Sequence, residues 1–415
     1  MPDIHIRNRE MGFTMLELSV SLLIVVLLIL GTLALFDFAN RLSRVQTNVA
    51  DMQQSLRISL QDSVRLVRMA GRGGLPLGTV PSGIGLAVRN NVPAGTPIGA
   101  PLTPLVLEGT DVLTVRGVLS NPIWQVSSAN PATFTLIAGP GGPTGGRIQI
   151  ASATPTGLAQ DRTALREAIL NNVPEALVIV SPRDAAIYAV VELDPSTSDV
   201  NSNPDLYTVG FRIAGGTHTA QYLSLSSGGG WPVDLTNAAF VGLLEEYRFY
   251  VRDDLAPRFS RARVFPATEA PHRTDSAPLL KPEEHPSWKH DVADNILDLQ
   301  VAFGFDTAQG GGAMTDDEGD SGDDDRIFES ADGANDDWLY NDGGAFDPAI
   351  WTGRQLYFVR LNVLARTDRR DPKFESPRLT WIEDHNLTAT PVNLRTERMY
   401  RRRLLQTIID MRNLG

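Results

Sequence analysis

The chain has 415 residues, 42% hydrophobic and 21% charged, which is enough apolar material for one large or two smaller cores and excludes a chain disordered throughout. There is no cysteine, so disulfides, thiolate nucleophiles and cysteine-ligated zinc are excluded. The net charge of -12 is local: Asp316 to Asp347 holds 13 acidic residues against Arg326, and the rest of the chain balances at 36 basic and 36 acidic side chains. The acidity therefore belongs to one loop and not to the surface in general.

The first element is REMGFTMLELSVSLLIVVLLILGTLALF. Leu18 to Phe36 are 19 residues without a charge, a helix of roughly 28 Å, close to the hydrocarbon thickness of a bilayer. A buried core helix is the competing reading, but core helices are rarely apolar on every face for this length. A removable secretory signal would have a shorter run and small residues after it, whereas here bulky Phe36 and Phe38 follow. The expectation is a retained membrane-spanning helix over 13–38. Glu17 stands at its edge, where an ionised carboxylate costs less than the about 2.5–3.5 kcal/mol of mid-membrane depth. Physics alone leaves it as the last polar residue before lipid or as a residue with a task.

Gly12, Phe13 and then Glu17 four residues later, followed by an unbroken apolar helix, resemble the prepilin signature of type IV pilins and type II secretion pseudopilins. The resemblance implies a leader over 1–12, containing Arg7 and Arg9, removed by a membrane peptidase that cuts between Gly12 and Phe13. It implies N-methylation of Phe13 and a need for Glu17 in assembly, where the carboxylate neutralises the new terminal ammonium of a neighbouring subunit. Phe13 and Glu17 also lie one helical turn apart, so pairing within one chain competes, and the sequence leaves both open.

Past the apolar run, Leu42, Val45, Val49, Met52, Leu56, Leu60, Val64 and Val67 form one helical stripe, with Arg41, Arg44, Asp51, Arg57, Asp62 and Arg65 between its positions and expected in water. The period drifts and the helix stops at GRGGLPLG, which favours an amphipathic stalk over 39–70 packed on the chain's own body over a free coiled coil.

From Leu75 onward, glycine and proline become frequent and short apolar runs alternate with turns, as in DVLTVRGVL, EALVIVSPRDAAIYAVVEL, LYTVGFRI and AQYLSLSS. Tyr247, Phe249 and Val251 share one strand face, as do Leu299, Val301, Phe303 and Phe305, and Tyr357, Val359, Leu361 and Val363. Such alternation predicts antiparallel strands buried on one side. TALREAIL, from Thr163 to Leu170, reads as a short helix, and RRRLLQTIIDMRN fits helix or strand. The blocks RLVRMAGRGG, DVLTVRG, EALVIVSPRDAAIYAVV, LLEEYRFYVRDD with RARVF, NILDLQVAFGFDT and RRRLLQTIIDMRN, in that order, resemble a PilW-type minor pilin. The fold class this implies is α+β, a long amino-terminal helix packed on a β-rich antiparallel head over 75–415, with the last segment a strand. The lack of cysteine and the acidic insertion over 316–347 depart from the pattern.

Three groups of residues invite chemistry. Asp316, Glu318, Asp320, Asp323 and Asp325 offer clustered oxygens of the kind calcium takes. Ser321 and Ile327, however, stand where an EF-hand needs glycine and a bidentate acid, and a solvated acidic loop is the simpler reading. Arg395, Arg398, Arg401, Arg402 and Arg403 could meet phosphate, but Glu397 lies among them and Tyr400 is the lone aromatic. Pairing with acidic neighbours is therefore expected, and nucleic acid is not the expected partner. No catalytic motif is present, and His285 and His290 are the one close pair of histidines. No enzyme activity and no obligatory cofactor are expected.

The resemblance thus points to a structural, assembly-priming pilus subunit, held in the inner membrane with its head in the periplasm before it joins the filament. Its expected partners are other pilins and the prepilin peptidase. A J-like type II pseudopilin, or an adhesive or ligand-binding head on a pilin stalk, are the alternatives. Adhesion, motility and DNA uptake are not separated by the sequence.

Overall fold

A computed structural model describes residues 14–75, 77, 85–99, 102–126, 134–139, 142–172, 175–180, 188–213, 238–254, 256–265, 290–306, 338–339, 355–383 and 385–411. Helix α1 (Met15–Val67) comes first. The strands follow as β1 (Leu86–Arg89), β2 (Pro97–Gly99), β3 (Leu102–Leu105), β4 (Val112–Gly117), β5 (Ile123–Gln125), β6 (Phe134–Gly139) and β7 (Gly142–Ala151). After helix α2 (Thr163–Leu170) come β8 (Ala176–Val180), β9 (Tyr188–Leu193), β10 (Leu206–Arg212), β11 (Phe240–Leu243), β12 (Glu245–Arg252), β13 (Arg258–Phe265) and β14 (His290–Asp294). The chain closes with β15 (Ile296–Asp306), β16 (Trp338–Leu339), β17 (Gln355–Arg366), β18 (Trp381–Ile382), β19 (His385–Asn386) and β20 (Arg402–Asp410). The fold is the expected long apolar helix followed by a β-rich antiparallel domain.

The chain divides into two compact units, Met1–Asp51 and Met52–Gly415. In the first, the described residues beyond Thr14 are all helical, with apolar side chains from Met15 to Phe38 exposed.

In the second unit, the remaining turns of α1 bury Met52, Leu56, Ser59, Leu60, Ser63, Leu66 and Val67. The face is rotated from the expected stripe: Val64 is half-buried, and Ser59 and Ser63 take core positions. Their hydroxyls donate back to the carbonyls of Leu56 and Ser59 at 2.8 Å, which satisfies them inside the packed face. Asp62, expected in water, instead accepts from Arg261 Nη1 on β13 with both oxygens at 2.8 Å. The helix stops at Gly71-Arg72-Gly73-Gly74. Gly73 and Gly74 have φ of +100° and +86°, and a Cβ on either would come within 2.6 Å of Val118 or Val180. Only glycine fits a backbone so turned and so close to its neighbours.

Among the described residues three larger sheets make the body, beside the two-stranded pairs β2-β3 and β18-β19. The first has order β1-β4-β12-β13-β14, the second β5-β11-β8-β9-β10-β7-β6 and the third β16-β15-β17-β20. The centre of the seven-stranded sheet, β8 and β9, is buried on both faces. Val178, Val180, Tyr188 and Val190 meet Val112, Tyr250 and Ala262 of the first sheet. The alternate residues Leu177, Ile179, Ala189 and Val191 meet Leu165, Ala168 and Ile169 of α2. Continuous apolar runs such as ALVIV are what a strand covered on both sides requires.

The strands expected to bury one face bury both. On β12, Arg248, Tyr250 and Arg252 are buried as well as Phe249 and Val251. On β15 and β17, Asp298, Gln300, Arg360 and Asn362 are buried opposite the apolar face formed by Leu299, Val301, Val359, Leu361 and Val363. AQYLSLSS lies outside the described residues, while RRLLQTIID of the terminal segment is strand β20.

Candidate functional site

The start of α1 is a capping box. Thr14 precedes the first helical residue, its hydroxyl accepts from the Glu17 amide at 3.3 Å, and its own amide donates to Glu17 Oε2 at 3.0 Å. The Thr14 hydroxyl also reaches Oε2 at 3.0 Å. Two of the helix's orphan amide donors are satisfied reciprocally, and the carboxylate sits at the positive end of the helix dipole. Glu17 therefore has a local structural role in addition to any role between subunits. Thr14 was missed in the sequence, although Thr-x-x-Glu ahead of an apolar run is the signature of this cap.

The helix that follows is long and apolar enough to cross a membrane: its best 18-residue window has a mean hydropathy of 2.8 and none of it is buried within the protein. The hydroxyls of Ser19 and Thr32 donate to the carbonyls of Met15 and Ile29 at 2.9 and 2.8 Å, so neither needs water. Asp37 and Arg41 form an i,i+4 pair at 2.8 Å just past the apolar run. Gly12 and Phe13 lie outside the described residues.

The carboxyl-terminal sheet carries a second concentration of polar groups. Residues 379–383 and 385–394 cover the polar face of β15 and β17, and Ile382 and Leu387 seat on Leu297 and Leu364. Under this cover Arg360 makes a two-pronged pair with Glu383, at 2.8 and 2.7 Å, and Asn362 Nδ2 donates to the same carboxylate. His385 Nδ1 lies 2.9 Å from Asp298 Oδ2, and Gln300 Nε2 donates at 2.8 Å to Asp298 Oδ1 and to the Gly109 carbonyl. Gly109 has φ of +76°, and a Cβ there would approach His385 Nε2 to 2.3 Å, so the imidazole lies directly on its backbone. Asp111 accepts from the Asn91 and Val301 amides at 2.9 and 2.8 Å. These groups hold loops to the sheet. They were not found in the sequence because Asp298 and His385 are 87 positions apart.

The arginine cluster is engaged with its own surroundings. Arg398 pairs with Glu375 at 2.9 Å and Arg401 with Asp371 at 3.0 Å, while Arg401 also stacks on Phe374. Glu397 is shared by Arg366 and Arg370, whose guanidiniums lie over the Tyr400 ring at 4.4 and 5.4 Å. Arg402 is half-buried and donates to the Val392 carbonyl; burial lowers its pKa from the ordinary arginine value. Arg395 and Arg403 are exposed. The pairing with acidic neighbours expected for this cluster is thus present at Arg398 and Arg401.

Buried acids brace the first sheet. Glu246 sits between Arg116 and Arg248, each at 2.7 Å. Burial pushes its carboxyl up, and the two guanidiniums outweigh this and hold it below the ordinary glutamate range. Glu245 accepts from the amides of Ser120 and Asn121 at 2.6 and 2.9 Å. The block LLEEYRFYVRDD therefore carries two buried carboxylates, each with its own partners.

Asp316, Glu318, Asp320, Asp323 and Asp325 lie outside the described residues, as does His285. Among the described residues, no group of three or more His, Asp or Glu side chains could hold a metal ion.

The family of type IV pilus-assembly protein W (PilW) matches residues 278–413, the stretch that contains β14 to β20 and the covered polar face. Two of the blocks that carry the resemblance, NILDLQVAFGFDT and RRRLLQTIIDMRN, fall in or at the end of this stretch, and the others precede it. No curated protein and no solved structure matches the chain.

Proposed function

We propose that this PilW-like chain is a minor pilin, an assembly-priming structural subunit of a type IV pilus, cut between Gly12 and Phe13 by prepilin peptidase and N-methylated at Phe13. The observation that carries the reading is Glu17: a carboxylate held at the first turn of a helix whose following surface is apolar and uncovered. A surface of that kind needs lipid or other helices around it, and a filament core supplies the second once the subunit leaves the membrane. The family match favours a pilus over a type II secretion system.

Cleavage converts the Phe13 amide into an ammonium one residue from the capped Thr14. A carboxylate has about four lone-pair directions, so the capping box leaves capacity for that ammonium, from its own chain or from a neighbour. An unpaired charge among packed apolar helices is costly, and a register that pairs both groups is selected. The other expected partners are pilins and minor pilins, with the head in the periplasm before assembly.

Mass spectrometry of the mature chain should find methylated Phe13 at its start, and Gly12→Val should retain the leader. Glu17→Gln separates the two roles of this residue, because glutamine serves the capping box as well as glutamate but carries no charge. Sheared filaments should lack both Glu17→Ala and Glu17→Gln subunits; entry of the glutamine variant at the wild-type level would reduce Glu17 to a helix cap.

A further inference from the structure

Strand β20 runs along one edge of the third sheet. It pairs with β17 from Phe358↔Asp410 to Arg366↔Arg402 without a bulge, and among the described residues no strand lies on its other side. Natural edge strands are usually short, bulged or interrupted by proline or charge. β20 is 9 residues long, contains no proline and confines its charges to Arg402, Arg403 and Asp410 at its two ends. Between them Leu404 and Ile408 are 44% and 52% exposed.

The strand is complementary to itself when reversed. Laid antiparallel about Gln406, Arg402 faces Asp410, Leu404 faces Ile408 and Gln406 faces its own copy, all on one side of the sheet. On the other side Leu405 faces Thr407. A shift of two residues either sets Arg402 against Ile408 or sets Leu404 against Asp410, and a shift of one turns the apolar pair to opposite faces. We propose that a second copy of this chain docks here, pairing β20 with β20 antiparallel about Gln406, so that two third sheets join into one.

The chain has no cysteine, so Gln406→Cys introduces a lone thiol. Facing residues of an antiparallel pair have Cα atoms about 4.5–5.5 Å apart, within the span of a disulfide. A Leu405→Cys chain faces its own copy only diagonally, at about 7–8 Å, beyond that span. For the full chain in non-ionic detergent under mild oxidation, Gln406→Cys should form at least ten times more disulfide-linked dimer than Leu405→Cys. Mixing Leu405→Cys with Thr407→Cys should restore the cross-link. Equal cross-linking of the two single variants would overturn the proposal, as would a monomeric mass for the cysteine-free chain by sedimentation in the same detergent. A Gln406→Cys thiol that in cells joins a different polypeptide and never its own copy would overturn it too. None of these readouts depends on leader cleavage or on entry into a filament.

Discussion

Glu383 adopts φ of +50°, a conformation unusual for a side-chain-bearing residue, and in doing so places its carboxylate on Arg360 and Asn362 beneath the β18–β19 hairpin. The Arg360 and Glu383 side chains are 1% and 3% exposed, so neither charge can fall back on water. Removing one partner of such a pair leaves an uncompensated buried charge, and Glu383→Gln should lower unfolding free energy by about 3–5 kcal/mol, read as the denaturant midpoint of the full chain in detergent. The pair of Arg398 with Glu375 is the contrast. Glu375 is 51% exposed, so Glu375→Gln should cost no more than about 1 kcal/mol. Neither partner assignment was legible in the sequence, where glutamates are scattered among the arginines of 360–403 without spacing that selects one pair over another. The buried capping of Glu245 by Ser120 and Asn121 is hidden for the same reason, since its partners lie more than a hundred positions away.

At the scale of elements, legibility follows the run of apolar residues. The span of α1 was readable from its uncharged length, and the strands at Val112–Gly117 and Leu206–Arg212 from short apolar runs set between turn residues. What alternation could not reveal was whether the polar side of a strand meets water or a covering loop. On β15 and β17 the residues 298, 300, 360 and 362 look solvent-facing in pattern and are covered by residues 379–383 and 385–394. The same ambiguity displaced the stalk face. Ser59 and Ser63 are polar by composition but small, and once each hydroxyl bonds back to its own helix they let α1 lie close to the body. Ser63→Leu should overfill that contact and destabilise the body by about 1–3 kcal/mol, measured by thermal unfolding with the helical signal before melting unchanged.

For the whole molecule, acid is the informative perturbation. At Asp194 burial raises the pKa, but hydrogen bonds from Arg212, Ser196 and Thr197 prevail and bring it to about 2. Glu246 is held low by Arg116 and Arg248 in spite of its burial. Folded values below the unfolded ones mean that the unfolded chain binds protons first on acidification. Their stabilisation is complete above the unfolded carboxylate range near pH 4 and is lost as pH falls through the folded values, about 2 for Asp194. Thermal midpoints should therefore drop between pH 5 and roughly 2.5, and Asp194→Asn should flatten that drop; an unchanged slope would assign the loss to other carboxylates.

The seven-stranded sheet has a consequence for how the body comes apart. Its two faces belong to different cores, one shared with the first sheet and one with α2. Neither core retains a wall if that sheet frays, so damage on one side is felt on the other. The first and second sheets are then expected to melt together, with neither of their two cores left standing alone.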